Sequence, residues 1–323
     1  MNSKEMMERL KELQKLEGKR RFANLGFDMP FKKAFGTEGE EEPLIATLNA
    51  CLESELAHPI TAVEIKNPYI IGQTRGRRDA NLDIRCKDSK GNEFIVEMQT
   101  GRQKHFIKRA AFYSSDTIVA SAPKDRKKKK WDYNFPNVYS LNFLHFDLPV
   151  WKGNDVVIHP LCYTDKIQPD VQFDFSNLVF VRLSEFKKSL RECESFKDKL
   201  LFSIRHAHEL DEQPPQFEGE VLDKIFQAAK IANFTSEEYT DYMTGVRRDW
   251  DHWAEMDYAK EIGFTAGRDE GFTVGRDEGR EEGRVEGIAI GEARIARQMK
   301  AKGFNIAVIS EMTGLPDEEI ERL

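Results

Sequence analysis

Two short stretches of the chain alternate apolar and polar residues with a period of two. The first covers residues 82–86 and the second residues 94–99, and in both the even-numbered positions are apolar. This period is typical of a β-strand with one buried face. Residues 87–93 between them are rich in turn formers, so the sequence predicts a β-hairpin. Its apolar face is predicted to contain Leu82, Ile84, Cys86, Phe94, Val96 and Met98.

The register of this hairpin has a chemical consequence. If Cys86 faces Phe94, then Asp83 lies opposite Glu97, and Gln99 follows on the same polar face. Directly opposed residues have Cβ atoms roughly 4.5–5.5 Å apart. Two carboxylates there destabilise the sheet unless one is protonated or a cation lies between them. Mg²⁺, which prefers carboxylate oxygens, would relieve the repulsion, with Mn²⁺ as its substitute.

The remaining apolar pattern predicts further strands and helices. Residues 138–146 are the most continuously apolar, which predicts a central strand. Other strands are predicted over 60–71, 156–161 and 178–183, and helices over 43–52, 106–113, 184–210 and 220–257, the last broken near Thr235.

Glycine recurs at every fourth position from Gly263 to Gly291 without a miss. The intervening residues are mostly strong helix formers, although each glycine in a helix costs about 1 kcal/mol relative to alanine. Close packing of two helices along the glycine stripe would offset this cost. We therefore predict a helix over 258–298 that pairs in a homodimer. The alternative is a frayed, partly disordered spacer.

Both ends of the chain are predicted to be helical. Residues 1–21 carry apolar residues at helical spacing, which predicts an amphipathic packing arm. Residues 299–323 are predicted to form two short helices and the start of a third, with Gly303 and Gly314 at helix ends. This arrangement resembles a small helix-turn-helix unit. Its acidic last helix favours a packing or targeting role over the reading of bases.

Composition narrows the class of protein. The net charge of −7 argues weakly against a general nucleic-acid binder, although residues 124–130 are locally basic. No apolar run approaches the length of a membrane span. The four cysteines are far apart and form no Cys-x-x-Cys pair, so neither a zinc site nor a disulfide framework is indicated. A reducing, cytoplasmic setting is predicted.

Asp83 and the segment Glu97-x-Gln99 resemble the signature of PD-(D/E)XK nucleases, with Gln99 in place of the usual lysine. Several flanking segments resemble the recombination-promoting nuclease and transposase (Rpn-like) branch of that superfamily. These segments are residues 28–36, 48–50 and 106–109, together with Tyr113. The resemblance is strong from residue 22 to residue 147 and looser beyond.

The resemblance implies an α/β fold with a restriction-endonuclease-like PD-(D/E)XK core. This core, a mixed central sheet flanked by helices, would cover residues 22–257 and carry an α-helical C-terminal extension. The implied activity is that of a Mg²⁺-dependent DNA endonuclease in DNA recombination. Asp83 and Glu97 would then bind the metal, and Gln99 would orient the attacking water or the scissile phosphate.

The resemblance also indicates further site residues. The first core helix of such folds often supplies another acid to the metal, and Glu42 is the nearest candidate. The alternative is that Glu42 only stabilises the N-terminus of its helix. Candidates for contacts to DNA phosphates are Arg75, Arg77, Arg78, Lys32 and Arg109. The alternatives are a solvated loop for the first three and a surface ion pair for Arg109.

Two functions remain open because Gln99 cannot carry a positive charge. The first is an active DNA endonuclease in which Arg85, Arg109 or Lys32 restores that charge. The second is a catalytically inactive nuclease fold that binds DNA or a protein partner. The opposed carboxylates favour the first, since they cost stability unless a metal is used. The glutamine favours the second.

Overall fold

The computed structural model describes residues 19–70, 80–101, 103–121 and 133–323. Three predicted features lie outside these ranges. They are the N-terminal helix up to residue 18, the basic loop with Arg75, Arg77 and Arg78, and the lysine-rich run 124–130.

The elements follow one another in a mixed order. The strands are β1 (Val63–Lys66), β2 (Tyr69–Ile70), β3 (Ala80–Asn81), β4 (Ile84–Asp88), β5 (Glu93–Gln99), β6 (Val138–Leu144), β7 (Ile158–Thr164) and β8 (Gln172–Arg182). The α-helices are α1 (Asp28–Phe35), α2 (Glu42–Cys51), α3 (Phe106–Ser121), α4 (Phe196–His206), α5 (Glu220–Ala229), α6 (Ser236–Ala301), α7 (Ile306–Thr313) and α8 (Asp317–Arg322).

The described strands form a mixed six-stranded sheet in the order β1–β4–β5–β6–β8–β7, and β2 pairs separately with β3. The pairs β5–β6 and β6–β8 are parallel, whereas β1–β4, β4–β5 and β7–β8 are antiparallel. Every residue of β6 is buried, which explains its mostly apolar sequence. The predicted mixed sheet, with 138–146 at its centre, is confirmed.

The predicted hairpin and its register are also confirmed. Cys86 pairs with Phe94 in the antiparallel ladder of β4 and β5. The side chain of Asp88 closes the turn, because it accepts hydrogen bonds from two backbone N–H groups of the turn. Continued by one pair, this ladder sets Asp83 across from Glu97.

For one residue, Leu82, the predicted face of the hairpin is wrong. Ile84 and Cys86 lie in the main core, but Leu82 packs with Ile95 on the opposite face of the sheet. The chain bends at Asp83. Strict alternation therefore starts only at Ile84, where the strand itself begins.

Two other predicted elements are shorter than expected. The strand over 60–71 is divided into β1 and β2, because Pro68 between them has no N–H to donate to a ladder. The helix over 184–210 is limited to α4, since Ser195 and Asp198 form a capping box that starts the helix there. The other predicted strands and helices are present with shifted ends.

Helices cover both faces of the sheet. Phe31 of α1, Leu48 of α2, Leu200 of α4 and Phe226 of α5 share the main core with one face. On the other face, Phe106 of α3 packs against residues of β6 and β8. The restriction-endonuclease-like core that the resemblance implied is therefore present. Among these helices, α3 alone lies over the face that carries Glu97.

The chain divides into two compact units, Met1–Asp251 and His252–Leu323. In the second unit, α6 runs through the whole glycine repeat, and a small core around Ile309 and Ile320 joins its end to α7 and α8. Gly303 and Gly314 have φ angles of +85° and +74°, as expected for glycines that end helices. No helix in the described part of the chain has the length and hydrophobicity of a membrane span.

Candidate active site

The hairpin ties the two carboxylates together through backbone hydrogen bonds. Oδ2 of Asp83 accepts a hydrogen bond from the backbone N of Met98 at 2.8 Å. The backbone N of Asp83 donates in return to Oε1 of Glu97 at 3.2 Å. The bend at Asp83 thus turns its side chain across the end of β5, and the predicted opposition of the two acids is realised.

Both carboxyl groups are shielded from water. Glu97 is 3% exposed on the face under α3, and the side chain of Asp83 is 18% exposed. Burial raises the pKa of Asp83 to about 6, helped by the nearby charge of Asp28. Burial and the charge of Asp83 raise the pKa of Glu97 to about 8. Near neutral pH and without a cation, the pair therefore retains a proton.

Helix α1 brings a lysine and a third acid to this pair. Phe31 and Phe35 are buried in the main core and fix the rotation of the helix. Nζ of Lys32 then lies 2.7 Å from Oδ1 of Asp28 and 3.8 Å from Oδ1 of Asp83. Asp28 is the first residue of the helix, and no side chain caps the helix there. The i,i+4 spacing of Asp28 and Lys32 is the sequence signal that indicates this ion pair.

Arg109 approaches the pair from α3. Its Nη2 lies 3.8 Å from Oε2 of Glu97. The guanidinium group lies over the rings of Phe106 and Tyr113, 4.8 and 5.7 Å from their centroids. Nη1 donates to Oε1 of Gln103 at 2.5 Å. The aromatic rings hold Arg109 toward the hairpin, beside Glu97.

Gln99 stands at the end of β5, two residues after Glu97. Its Nε2 lies 3.5 Å from Oε2 of Glu97, at the outer limit of a hydrogen bond. The amide supplies a donor at this position but no charge. The positive charges beside the acids come instead from Lys32 on the Asp83 side and Arg109 on the Glu97 side.

Other predicted residues lie elsewhere. Glu42 is half exposed, and its Oε1 is 3.1 Å from Nζ of Lys224 on α5. Arg85 pairs with the buried Glu93 at 3.1 Å, farther along the hairpin. Among the described residues, Glu42 and Arg85 form their ion pairs with Lys224 and Glu93 and not with Asp83. The three loop arginines are outside the described ranges.

The donor atoms of the site suit a hard divalent cation. The oxygens of Asp83 and Glu97 share a buried space, and Asp28 adds a carboxylate at its edge. Lys32 and Arg109 stand 3.8 Å from these oxygens, so they compensate the charge only in part. Oxygen donors favour Mg²⁺ or Mn²⁺ over zinc. Within the described ranges, no three His, Cys, Asp or Glu side chains already form a metal cage.

A comparison with protein families agrees with this geometry. The sequence pattern of the family described as PD-(D/E)XK nuclease family transposase matches residues 26–259. The matched segment contains both opposed carboxylates, Gln99 and the two flanking cations. Neither a curated protein nor a solved structure gives a significant match to the chain. The chain belongs to the PD-(D/E)XK nuclease family transposases.

Proposed function

We propose that this protein is a Mg²⁺-dependent endonuclease that hydrolyses phosphodiester bonds in DNA, with Mn²⁺ able to replace Mg²⁺. The observation that carries the proposal is the buried, opposed pair of Asp83 and Glu97 with raised pKa values. Such a pair costs stability unless a cation is bound. Membership of a nuclease family supports DNA as the substrate.

The proposed role of each site residue follows from its position. Asp83 and Glu97 would hold the ion, and a bound ion would activate a water molecule and stabilise the charge on the phosphoryl group. Lys32 and Arg109 would bind phosphate oxygens from opposite sides of the pair. Gln99 would orient the attacking water or the phosphate through its amide. The aromatic contacts of Arg109 keep its guanidinium group in place before DNA arrives.

Lys32 is proposed to supply the charge that Gln99 lacks. We expect Lys32→Met to lower the rate of DNA cleavage about 100-fold, the effect of losing one preorganised donor at a charged transition state. The neighbouring Lys33 pairs with Glu238 and lies over the ring of Phe234. Lys33→Met is therefore the matched control and should cut at nearly the parent rate. A Lys32→Met variant that cuts as fast as the parent would show that the charge comes from elsewhere.

Removal of the metal tests the activity directly. Supercoiled plasmid incubated with the full chain and Mg²⁺ is expected to become nicked or linear, as measured on agarose gels. EDTA should stop the reaction and excess Mg²⁺ should restore it, because the two acids cannot activate water alone. Cleavage that persists in EDTA would contradict a metal-dependent mechanism.

The second function, an inactive nuclease fold that binds DNA or a protein partner, is favoured by one observation. Gln99 gives the site an uncharged amide, 3.5 Å from Glu97, where nucleases of this type carry lysine. This function predicts no cleavage in Mg²⁺ or Mn²⁺, with DNA retarded on native gels or left unbound. Cleavage in either metal excludes it.

We further propose a homodimer formed by α6 and a cytoplasmic setting. Residues 255–290 of α6 are all exposed, and a Cβ added at each of its repeat glycines would meet no described atom within 4 Å apart from its chain neighbours and the adjoining backbone of its own helix. Exposed apolar residues, among them Phe264 and Phe272, lie along the same stretch. A helix of this length with so many glycines needs a partner for stability. The four cysteines are free, which supports a reducing compartment.

Deletion of residues 258–323 is expected to convert the dimer into a monomer, as judged from the mass measured by multi-angle light scattering relative to the mass of one chain. Replacing Gly267, Gly271 and Gly275 together by glutamine should have the same effect, because the longer side chains prevent close approach of two helices while favouring the helix itself. An unchanged number of chains per particle in both variants would refute the dimer.

A further inference from the structure

Asn142 is a buried polar residue in the most apolar strand of the sheet. It is 0% exposed in β6, and its Cα partner in the neighbouring parallel strand is Glu97. Paired residues of adjacent strands point to the same face, and these strands are about 4.8 Å apart. The carboxamide of Asn142 therefore lies beside the carboxylate of Glu97, under α3.

The orientation of this carboxamide is fixed by its donors. Nδ2 donates to the carbonyl oxygen of Ser140 at 3.0 Å, to the hydroxyl of Ser140 at 3.1 Å and to the carbonyl oxygen of Val179 at 3.3 Å. A flipped amide would set an oxygen against two carbonyl oxygens, so the assignment is unambiguous. Because Nδ2 faces β8, Oδ1 is turned away from that strand.

Oδ1 of Asn142 receives no hydrogen bond from any residue that the structure describes. A buried acceptor without a donor destabilises the fold, and leucine would fill the same space without this cost. Its neighbour Glu97 offers only acceptors once it is ionised. Asn142, Glu97 and Asp83 thus present oxygens that are complementary to a cation or to its bound water.

We propose that Asn142 is an oxygen donor of the divalent-cation site. Its Oδ1 contacts the ion directly or through a water molecule bound to the ion, and so helps to place the ion beside Glu97. This role rests on the cation-dependent function proposed above. It adds to the two carboxylates a neutral donor from a strand that the nuclease signature does not include.

The test is the affinity of the full chain for Mn²⁺, measured by titration calorimetry in the absence of DNA. Asn142→Leu is expected to weaken Mn²⁺ binding 10- to 100-fold, as the loss of a supporting ligand does in other metal sites. Ser140→Ala is the matched control, because it removes an acceptor of Nδ2 and leaves Oδ1 in place. It should bind Mn²⁺ like the parent. Thermal unfolding in EDTA reports any purely structural effect of either change.

Asn142→Asp gives an independent readout if the leucine variant fails to fold. A carboxylate at this position should tighten Mn²⁺ binding and increase the rise in unfolding temperature that Mn²⁺ produces. Mn²⁺ affinity equal to that of the parent in either folded variant would overturn the proposal and leave Asn142 as a tie between β6 and β8.

Plasmid cleavage measured on the same samples separates the two proposals. A parent that binds Mn²⁺ but does not cut DNA refutes the nuclease, and the role of Asn142 is still decided by its variants. A parent that cuts, with variants of unchanged affinity, refutes only the role of Asn142. A parent that binds no Mn²⁺ refutes both.

Discussion

Asp83→Asn is expected to abolish metal-dependent cleavage of supercoiled DNA, with a loss of at least about 1,000-fold in rate. The amide keeps an oxygen but loses the charge that would hold the ion, and a bound ion contributes several kcal/mol to the transition state. Met98 N donates a hydrogen bond to Oδ2 of Asp83. The amide oxygen of asparagine can accept the same hydrogen bond. The hairpin should therefore stay folded, and the loss would reflect chemistry.

A matched control for this variant is Glu64→Gln. Glu64 lies on β1 at the edge of the same sheet and is largely exposed beside Lys66. It should cut DNA at the parent rate, and circular dichroism should show the same fold for all three proteins. If Asp83→Asn nicks plasmid as fast as the parent in Mg²⁺, the assignment of the site is wrong.

Glu97→Gln is expected to stabilise the metal-free protein while removing its activity. Burial raises the pKa of Glu97 above its ordinary value, to about 8, so the folded state binds the proton more tightly than the unfolded state. The stability contributed by this proton is complete at low pH and is lost as the pH rises through about 8. Glutamine resembles the protonated acid and does not titrate.

The increase in the free energy of unfolding caused by Glu97→Gln should therefore be small at pH 5 and reach about 3–5 kcal/mol at pH 9. This corresponds to a rise of roughly 10 °C in unfolding temperature for a domain of this size. The measurement is thermal unfolding in EDTA at both pH values. Mg²⁺ should stabilise the parent at pH 9 and leave the variant almost unchanged.

Glu93→Gln provides the opposite case on the same face of the same strand. Glu93 is also buried, but it forms an ion pair with Arg85 at 3.1 Å. Its replacement leaves Arg85, whose side chain is 16% exposed, without a counterion and should destabilise the protein by up to about 3 kcal/mol. If Glu93→Gln and Glu97→Gln change stability in the same direction, Glu97 does not carry the uncompensated charge inferred for it.

The hairpin that carries Glu97 shows which part of the site is predictable from the sequence. The hairpin is a local structure, so its period of two and its turn formers were enough to predict that Cys86 faces Phe94. The opposition of Asp83 and Glu97 followed from that register. The predicted face of Leu82 is wrong because the bend at Asp83 interrupts the alternation. The bend is held by hydrogen bonds to the backbone, which the pattern of apolar residues does not reveal.

Other parts of the site depended on packing between distant segments. Lys32 and Asp28 reach the hairpin because Phe31 and Phe35 anchor α1 in the main core. The rotation of α2 turns Glu42 toward Lys224 instead. Amphipathic patterns predicted both helices but not where their polar faces would point, since that direction is set by the partners on the other side of the core.

The sequence by itself determined the hairpin, the facing carboxylates and the apolar central strand, because contacts between near neighbours decide them. Only the tertiary structure decided that Lys32 and Arg109 flank the acids and that Asn142 lies beside Glu97. The physical reason is that parallel pairing of β5 and β6 joins segments separated by α3. The register of such a pair is set by the packing of the whole core, and a local pattern of residues does not specify it.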